Sequence, residues 1–146
     1  LVIWLRVKND AYMRLNPDED EITQMRVMKL LYYIQAASLA VEGKRLFDND
    51  IVNTKYGPSI KEVHEKYRNQ RRIVGKITQE DIDDYKDLQQ DQQAADILNS
   101  IYDIYGHSSA YDLMQQIQRE GLWEKEGTVI SDQSIENSYQ KVFFTQ

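Results

Sequence analysis

The sequence predicts a mainly α fold, a compact single-domain bundle of six or seven helices around a central buried helix at about residues 23–42. Three observations predict this fold. A helix that is apolar all round is normally buried, and residues 27–41 are apolar or aromatic except Lys29, Gln35 and Ser38. Apolar residues recur at helical spacing in most other segments. Glycines and capping residues separate those segments at short intervals, as in closely packed helices.

The first two helices have clear limits. Residues 1–15 form the first predicted helix, and Pro17 ends it because proline cannot continue a helix. Thr23 is placed to cap the central helix by accepting a backbone N–H bond. Gly43 stands where a left-handed residue closes a helix. The central helix is therefore expected to run from about 23 to 42.

The next segment is predicted to be irregular. In residues 45–56 the apolar pair at 51–52 is too brief to define a strand. Residues 57–59 are predicted to form a turn, with Pro58 as an early helical residue. The third helix is placed at 59–70 because apolar residues recur there at helical spacing.

The second half begins with a capping box, in which Asp81 replaces the usual Glu three residues after Thr78. The polar run at 89–93 is either a break or an exposed turn of one long helix. The apolar residues between 94 and 105 form a strong apolar face of a helix, and Gly106 ends that helix.

Two further helices follow. Ser108 or Ser109 is expected to cap the first of them, with Gly121 closing it. Ser131 is expected to cap the last helix. The buried side of that helix is predicted to contain Ile135, Tyr139 and Val142 or Phe143.

Composition limits the function classes. The 146 residues fit one domain, which we place at 1–146, and 41% of them are hydrophobic. The net charge of −6 argues against general binding to nucleic-acid phosphates, which requires clustered cations. The absence of cysteine excludes disulfides, thiolate metal sites and a cysteine nucleophile. Since neither a signal peptide nor a membrane-spanning segment is visible, we expect a cytoplasmic protein without membrane partners.

The sequence predicts no catalytic residue, no metal site and no cofactor. A zinc pair on a helix would place a second ligand four residues after His64, where Arg68 stands. We therefore predict ordinary roles for the two histidines: His64 on a helix surface and His107 in a glycine-containing turn. The acidic run at 80–87 is interpreted as a helix start that favours the helix dipole, with a binding site as the alternative.

Aromatic and basic residues leave alternatives open. Tyr32, Tyr33, Tyr56 and Trp123 form either core packing or an aromatic binding surface. The basic run at 66–72 is interpreted as a solvated helix end, with a nucleic-acid patch as the alternative. The residues alone therefore indicate an acidic, non-catalytic helical domain that could serve as an interaction module.

Four motifs occur in a characteristic order. The central helix contains Lys29, Leu30, Leu31, Tyr32, Tyr33 and Gln35, and the bend after it contains Gly43, Leu46 and Phe47. The Tyr-Gly-Pro motif is formed by Tyr56, Gly57 and Pro58. A late segment contains Tyr105, Gly106, Ser109, Ala110, Leu113 and Trp123. Over residues 23–124 this set resembles the Panacea domain, the SocA-like antitoxin family that also includes phage-associated proteins of the GepA type.

Two departures from the family pattern are visible. The family usually has an aromatic residue before its Tyr-Gly-Pro motif, where this chain has Asn53, Thr54 and Lys55. The family often has a histidine ahead of the late tryptophan, and residues 118–122 contain none. If that histidine had a chemical role in the family, this chain lacks it, which further disfavours an enzyme.

The resemblance implies an antitoxin that is associated with a prophage or mobile element and that binds a toxin encoded nearby. It implies structural roles for Lys29, Leu30, Leu31, Tyr32, Gln35, Phe47, Gly106 and Leu113. Tyr56, Gly57, Pro58 and Trp123 are the predicted partner-binding residues. The alternatives are a transcriptional or nucleic-acid-binding regulator, and an enzyme with an unrecognised site around Tyr56, Gly57 and Trp123. Nothing in the sequence indicates the oligomeric state.

Overall fold

The predicted central helix is present as α2, Gln24–Glu42. Its limits are set as expected: the Thr23 hydroxyl accepts a hydrogen bond from the backbone N–H of Arg26, and Gly43 adopts the left-handed conformation with φ of 71°. A computed structural model describes residues 1–16, 22–70, 72–73, 77–119 and 126–143, with side chains described as far as residue 137.

Six other helices and one two-stranded antiparallel sheet accompany α2 in the described part of the chain. The helices are α1 (Val2–Leu15), α3 (Lys61–Lys66), α4 (Gln79–Gln90), α5 (Gln92–Tyr105), α6 (Ala110–Arg119) and α7 (Asp132–Phe143). The strands are β1 (Val52–Thr54) and β2 (Gly57–Ser59). The prediction of a mainly α bundle is confirmed.

The other elements surround α2. Five elements of the described chain pack against it: helices α3, α5, α6 and α7 and strand β2. Helix α1 packs against α4, and α4 also packs against α5. Trp4 of α1 is fully buried, stacked on Tyr85 at 5.7 Å between ring centroids and edge-on to Tyr102 at 6.2 Å. Burial of α2 on all sides explains why its sequence lacks a polar face.

The buried polar residues of α2 hold neighbouring backbone. Gln35 donates to the carbonyl of Phe47 at 2.8 Å and accepts from the amide of Leu46 at 2.8 Å. The Ser38 hydroxyl donates to the carbonyl of Lys44 at 2.8 Å. These bonds offset the cost of burying polar groups, and they fix the bend between α2 and the sheet.

The prediction of an irregular segment followed by a turn at 57–59 is wrong. Residues 52–59 form a hairpin in which Val52 pairs with Ser59, Asn53 with Pro58 and Thr54 with Gly57. The tip is closed by the Thr54 hydroxyl, which donates to the carbonyl of Gly57 at 2.9 Å.

A distant segment explains why such a short hairpin is stable. The amide of Asn53 donates to the carbonyl of Thr128 at 3.0 Å, and its carbonyl accepts from Gly127 at 2.7 Å. The backbone groups of Asn53 therefore face away from β2. Pro58 lies opposite Asn53 in β2, at a pair that exchanges no backbone hydrogen bonds. The missing N–H of Pro58 therefore removes no bond from the ladder.

The third predicted helix, 59–70, is too long at both ends. Helix α3 covers only Lys61–Lys66, because Pro58 belongs to β2 and Asn69 adopts a positive φ of 65°. The Gln24 side chain donates to the carbonyls of Tyr67 and Gln70, at 3.0 and 3.2 Å. Those carbonyls are thus satisfied without a longer helix.

The capping predictions of the second half are confirmed where the structure describes them. Thr78 and Asp81 form the reciprocal capping box of α4. The polar run contains a break, where Asp91 ends α4 and caps α5. Of the two candidates Ser108 and Ser109, it is Ser109 that caps α6. Ser131 caps α7. Gly121 and the side chains of Tyr139, Val142 and Phe143 lie outside the described residues, and Ile135 is buried.

Candidate partner-binding surface

The predicted partner-binding residues divide into three environments. Tyr56, at the tip of the hairpin, is 54% exposed. Gly57 and Pro58 are buried. Trp123 lies outside the described residues, so the structure does not place it beside Tyr56. Among the three of these residues that the structure describes, Tyr56 is the one whose side chain is exposed to a partner.

A buried lysine supports the hairpin from below. The side chain of Lys29 is fully buried, and its Nζ donates to the carbonyl of Pro58 at 2.9 Å. Burial lowers the pKa of Lys29 from 10.5 to about 8, because desolvation disfavours the charged form. Gly57 lies directly above this side chain: a Cβ at position 57 would stand 3.3 Å from Lys29 Cε.

Lys29 is expected to make the stability of the protein rise with pH. Between about pH 8 and pH 10.5 the folded protein holds Lys29 neutral while the unfolded chain still binds its proton, so raising the pH favours folding. Below pH 8 both states are protonated and the folded state bears the full burial cost. Relative to Lys29→Met, the wild-type free energy of unfolding should increase by up to about 1.4 kcal/mol per pH unit in that window.

Urea unfolding at pH 7.5, 8.5 and 9.5 measures this increase. Lys86→Met is the matched control, because Lys86 is an exposed lysine on α4. A constant difference between wild type and Lys29→Met across the three pH values would contradict the prediction.

The hairpin forms one wall of an open groove of about 610 Å³. The opposite wall is the first turns of α2, and α3 borders one side. We call this the hairpin groove. It is lined by Gln24, Met25, Met28, Val52, Thr54, Lys55, Tyr56, Ser59, Lys61, His64 and Gln70. Its volume lies in the range of about 300–1,000 Å³ that is typical of binding sites.

A chain of hydrogen bonds fixes the α3 side of the groove. The amide nitrogen of Gln24 donates to two carbonyls, so its Oε1 is the acceptor that faces His64. His64 Nδ1 lies 3.0 Å from that oxygen and therefore carries the proton. Side chains with defined orientations thus link α2 to α3 along this side of the groove.

Sequence reasoning missed several groove residues. Met25 and Met28 belong to the start of the central helix, and the hydrophobic run gave no sign that this end is open to a groove. His64 was predicted to be an ordinary helix-surface residue, and it is exposed on α3. For His64 the available signal was its position six residues after the Tyr-Gly-Pro motif, whereas Met25 and Met28 lie far from that motif in the sequence.

The motif residues connect to one another through α2. Leu30, Leu31 and Tyr32 are buried in the core, and Leu113 joins them from α6. Arg26 donates a hydrogen bond to the carbonyl of Gly106, and Tyr33 stacks on Tyr105 at 4.2 Å between ring centroids. Phe47 is partly buried against the same core. The motifs therefore form a rigid frame that presents the hairpin.

Among the described residues, no three His, Cys, Asp or Glu side chains are grouped closely enough to hold a metal ion. Within the same residues, none of the helices has the length and the apolar run that a bilayer crossing requires.

Comparison with known proteins identifies one family. Residues 27–124 match the family described as antitoxin SocA-like, Panacea domain. No curated protein and no solved structure gives a significant match. The matched region begins within α2 and includes the hairpin and α6, so it contains the hairpin groove except for Gln24 and Met25 at its α2 end.

Proposed function

The chain belongs to the SocA-like antitoxin family of Panacea-domain proteins, since the match covers about two thirds of its length, and from this membership we propose that it neutralises a toxin by direct binding. The toxin is a protein encoded near this chain. Neutralisation is stoichiometric, with no turnover, and this distinguishes the proposal from an enzyme that reverses the damage done by the toxin.

The hairpin groove is the observation that carries this proposal. It combines an exposed tyrosine, Tyr56, with the two methionines Met25 and Met28, next to a hairpin that Lys29 holds in place. Tyrosine is among the residues that contribute most to protein interfaces, and methionine adapts its shape to different partners. A rigid frame with an adaptable face suits a domain whose buried motif residues hold the fold while its surface residues determine the partner.

Co-expression with the adjacent open reading frame tests the proposal. The neighbour alone should arrest growth, and this chain should restore growth and co-purify with the neighbour. Protection should reach completion when the two proteins are present at about one to one. Restored growth without physical association, or full protection from a small catalytic amount of this chain, would overturn the proposal in favour of an enzyme.

The alternative of a DNA-binding regulator has a separate test. Its support is the exposed cations Lys66, Arg68 and Arg72, and a chain of net charge −6 repels phosphate overall. Three cations can displace only a few counterions from DNA. We therefore expect the Kd for the chain's own promoter DNA at physiological salt to be above about 1 μM. A gel shift that shows sequence-selective, sub-micromolar binding would favour the regulator instead.

A further inference from the structure

The hairpin groove carries the opposite charge to the protein as a whole. The chain has a net charge of −6, yet Lys55 and Lys61 both line the groove, together with His64. None of the described residues that line it has a carboxylate. Glu65 lies nearby, 4.0 Å from Lys61, but both side chains are exposed. Exposed pairs of this kind interact only weakly, so Lys61 remains available to a carboxylate of a partner.

Apolar and aromatic side chains line the same groove as these lysines. Met28 is buried at its base, Met25 is half-buried, and Tyr56 is 54% exposed at the hairpin tip. The ammonium of Lys55 lies 5.0 Å from the centre of the Tyr56 ring, so this cation and the aromatic surface are adjacent. A ligand that fills the groove would bury apolar groups and bring its own polar groups against lysine ammonium groups.

We propose that the hairpin groove receives a segment of the toxin that combines apolar side chains with Asp or Glu. This inference rests on the proposed function and adds the chemistry of the partner segment. The apolar side chains pack on the methionines and Tyr56, and the carboxylates face Lys55 and Lys61. Charge complementarity of this kind fixes the orientation of a partner. An acidic antitoxin would attract a basic toxin at many places, and its basic groove selects one acidic segment.

The first experiment reverses the groove charges. Lys55→Glu/Lys61→Glu is compared with Lys44→Glu/Lys86→Glu, which changes the net charge equally at two exposed lysines that do not line the groove. The probe is the purified product of the adjacent open reading frame, and Kd is measured by titration calorimetry. We expect the groove variant to bind at least about 10-fold more weakly, and the control to stay within about 3-fold of wild type.

The second experiment tests the apolar contact with a tyrosine pair. Tyr56→Ala removes the aromatic group at the groove, and Tyr111→Ala removes a tyrosine of α6 that is 64% exposed. We expect only the first to weaken binding, by about 10-fold or more, as for an interface hot spot. Because both side chains are exposed, neither change should lower the melting temperature appreciably.

Overlapping peptides of the neighbour identify the segment. Peptides that contain both acidic and apolar residues should bind the full chain and lose binding to Lys55→Glu/Lys61→Glu. Preferential binding of basic peptides would overturn the inference. Wild-type affinity for the neighbour in both Lys55→Glu/Lys61→Glu and Tyr56→Ala would also overturn the inference. That result leaves the proposed function intact, because the chain would still bind its neighbour. A wild-type chain that does not bind its neighbour overturns the proposed function and this inference together.

Discussion

Gly57→Val is expected to lower the free energy of unfolding by about 2–6 kcal/mol. Gly57 has a φ of 92°, and holding a residue other than glycine in such a conformation costs about 1–3 kcal/mol. A Cβ there would also stand 3.3 Å from both Lys29 Cε and Met114 Cγ, so packing adds a further cost of about 1–3 kcal/mol. The substitution should therefore displace the hairpin from α2 or prevent folding.

Gly127→Val separates the two contributions. Gly127 also has a positive φ, of 85°, but a Cβ there would meet no atom within 4 Å. Thermal and urea unfolding should show a smaller loss for Gly127→Val, about 1–3 kcal/mol. If Gly57→Val instead folds with wild-type stability but loses the partner, then the glycine contributes a binding surface and our structural account of it is wrong.

Leu31→Ala is expected to cost about 2–5 kcal/mol, the usual range for truncating a buried leucine. Leu31 lies in the middle of α2 and is 3% exposed. Because α2 is surrounded by other elements, the cavity left by the missing side chain cannot collapse easily. Urea unfolding of Leu31→Ala measures the loss.

Glu62→Ala provides the comparison for Leu31→Ala, because Glu62 is exposed on α3. It should change the free energy of unfolding by no more than about 0.5 kcal/mol. Equal shifts in the two variants would show that the Leu31 side chain is not packed in a core.

The helices could be predicted because their signals are local. Thr23 and Gly43 lie at the two ends of α2, and a capping residue acts on backbone groups within one turn of itself. Thr78 and Ser131 identify two further helix starts in the same way. The two ends of α3, Lys61 and Lys66, were misplaced because distant side chains decide them. Lys29 binds the carbonyl of Pro58 in β2, and Gln24 binds the backbone after α3.

The hairpin could not be predicted because its stabilising contacts are not local. Strand β1 is three residues long and is held on one edge by β2 and on the other by residues 127–130. Those residues lie more than 70 positions further along the chain. Strand preference depends on such neighbours more than on the strand's own residues, so the apolar pair at 51–52 gave too weak a signal.

The candidate surface was predicted in part. The family motif drew attention to Tyr56, and this tyrosine is exposed at the groove. It did not indicate that Gly57 and Pro58 are buried, nor that Met25, Lys61 and His64 lie beside Tyr56. Met25 belongs to α2, and Lys61 and His64 belong to α3. The packing of α2 against both the hairpin and α3 brings them to the same groove as Tyr56.

The packing of α7 on α2 has a consequence for synthesis of the protein. α2 ends at Glu42, and α7, which covers part of it, begins at Asp132. At a ribosomal rate of about 5–20 residues per second, roughly 5–20 s pass between the emergence of the two helices. During that interval the most apolar segment of the chain lacks one of its covering helices. A chain still being synthesised therefore exposes apolar surface of α2 until α7 is available to complete the core.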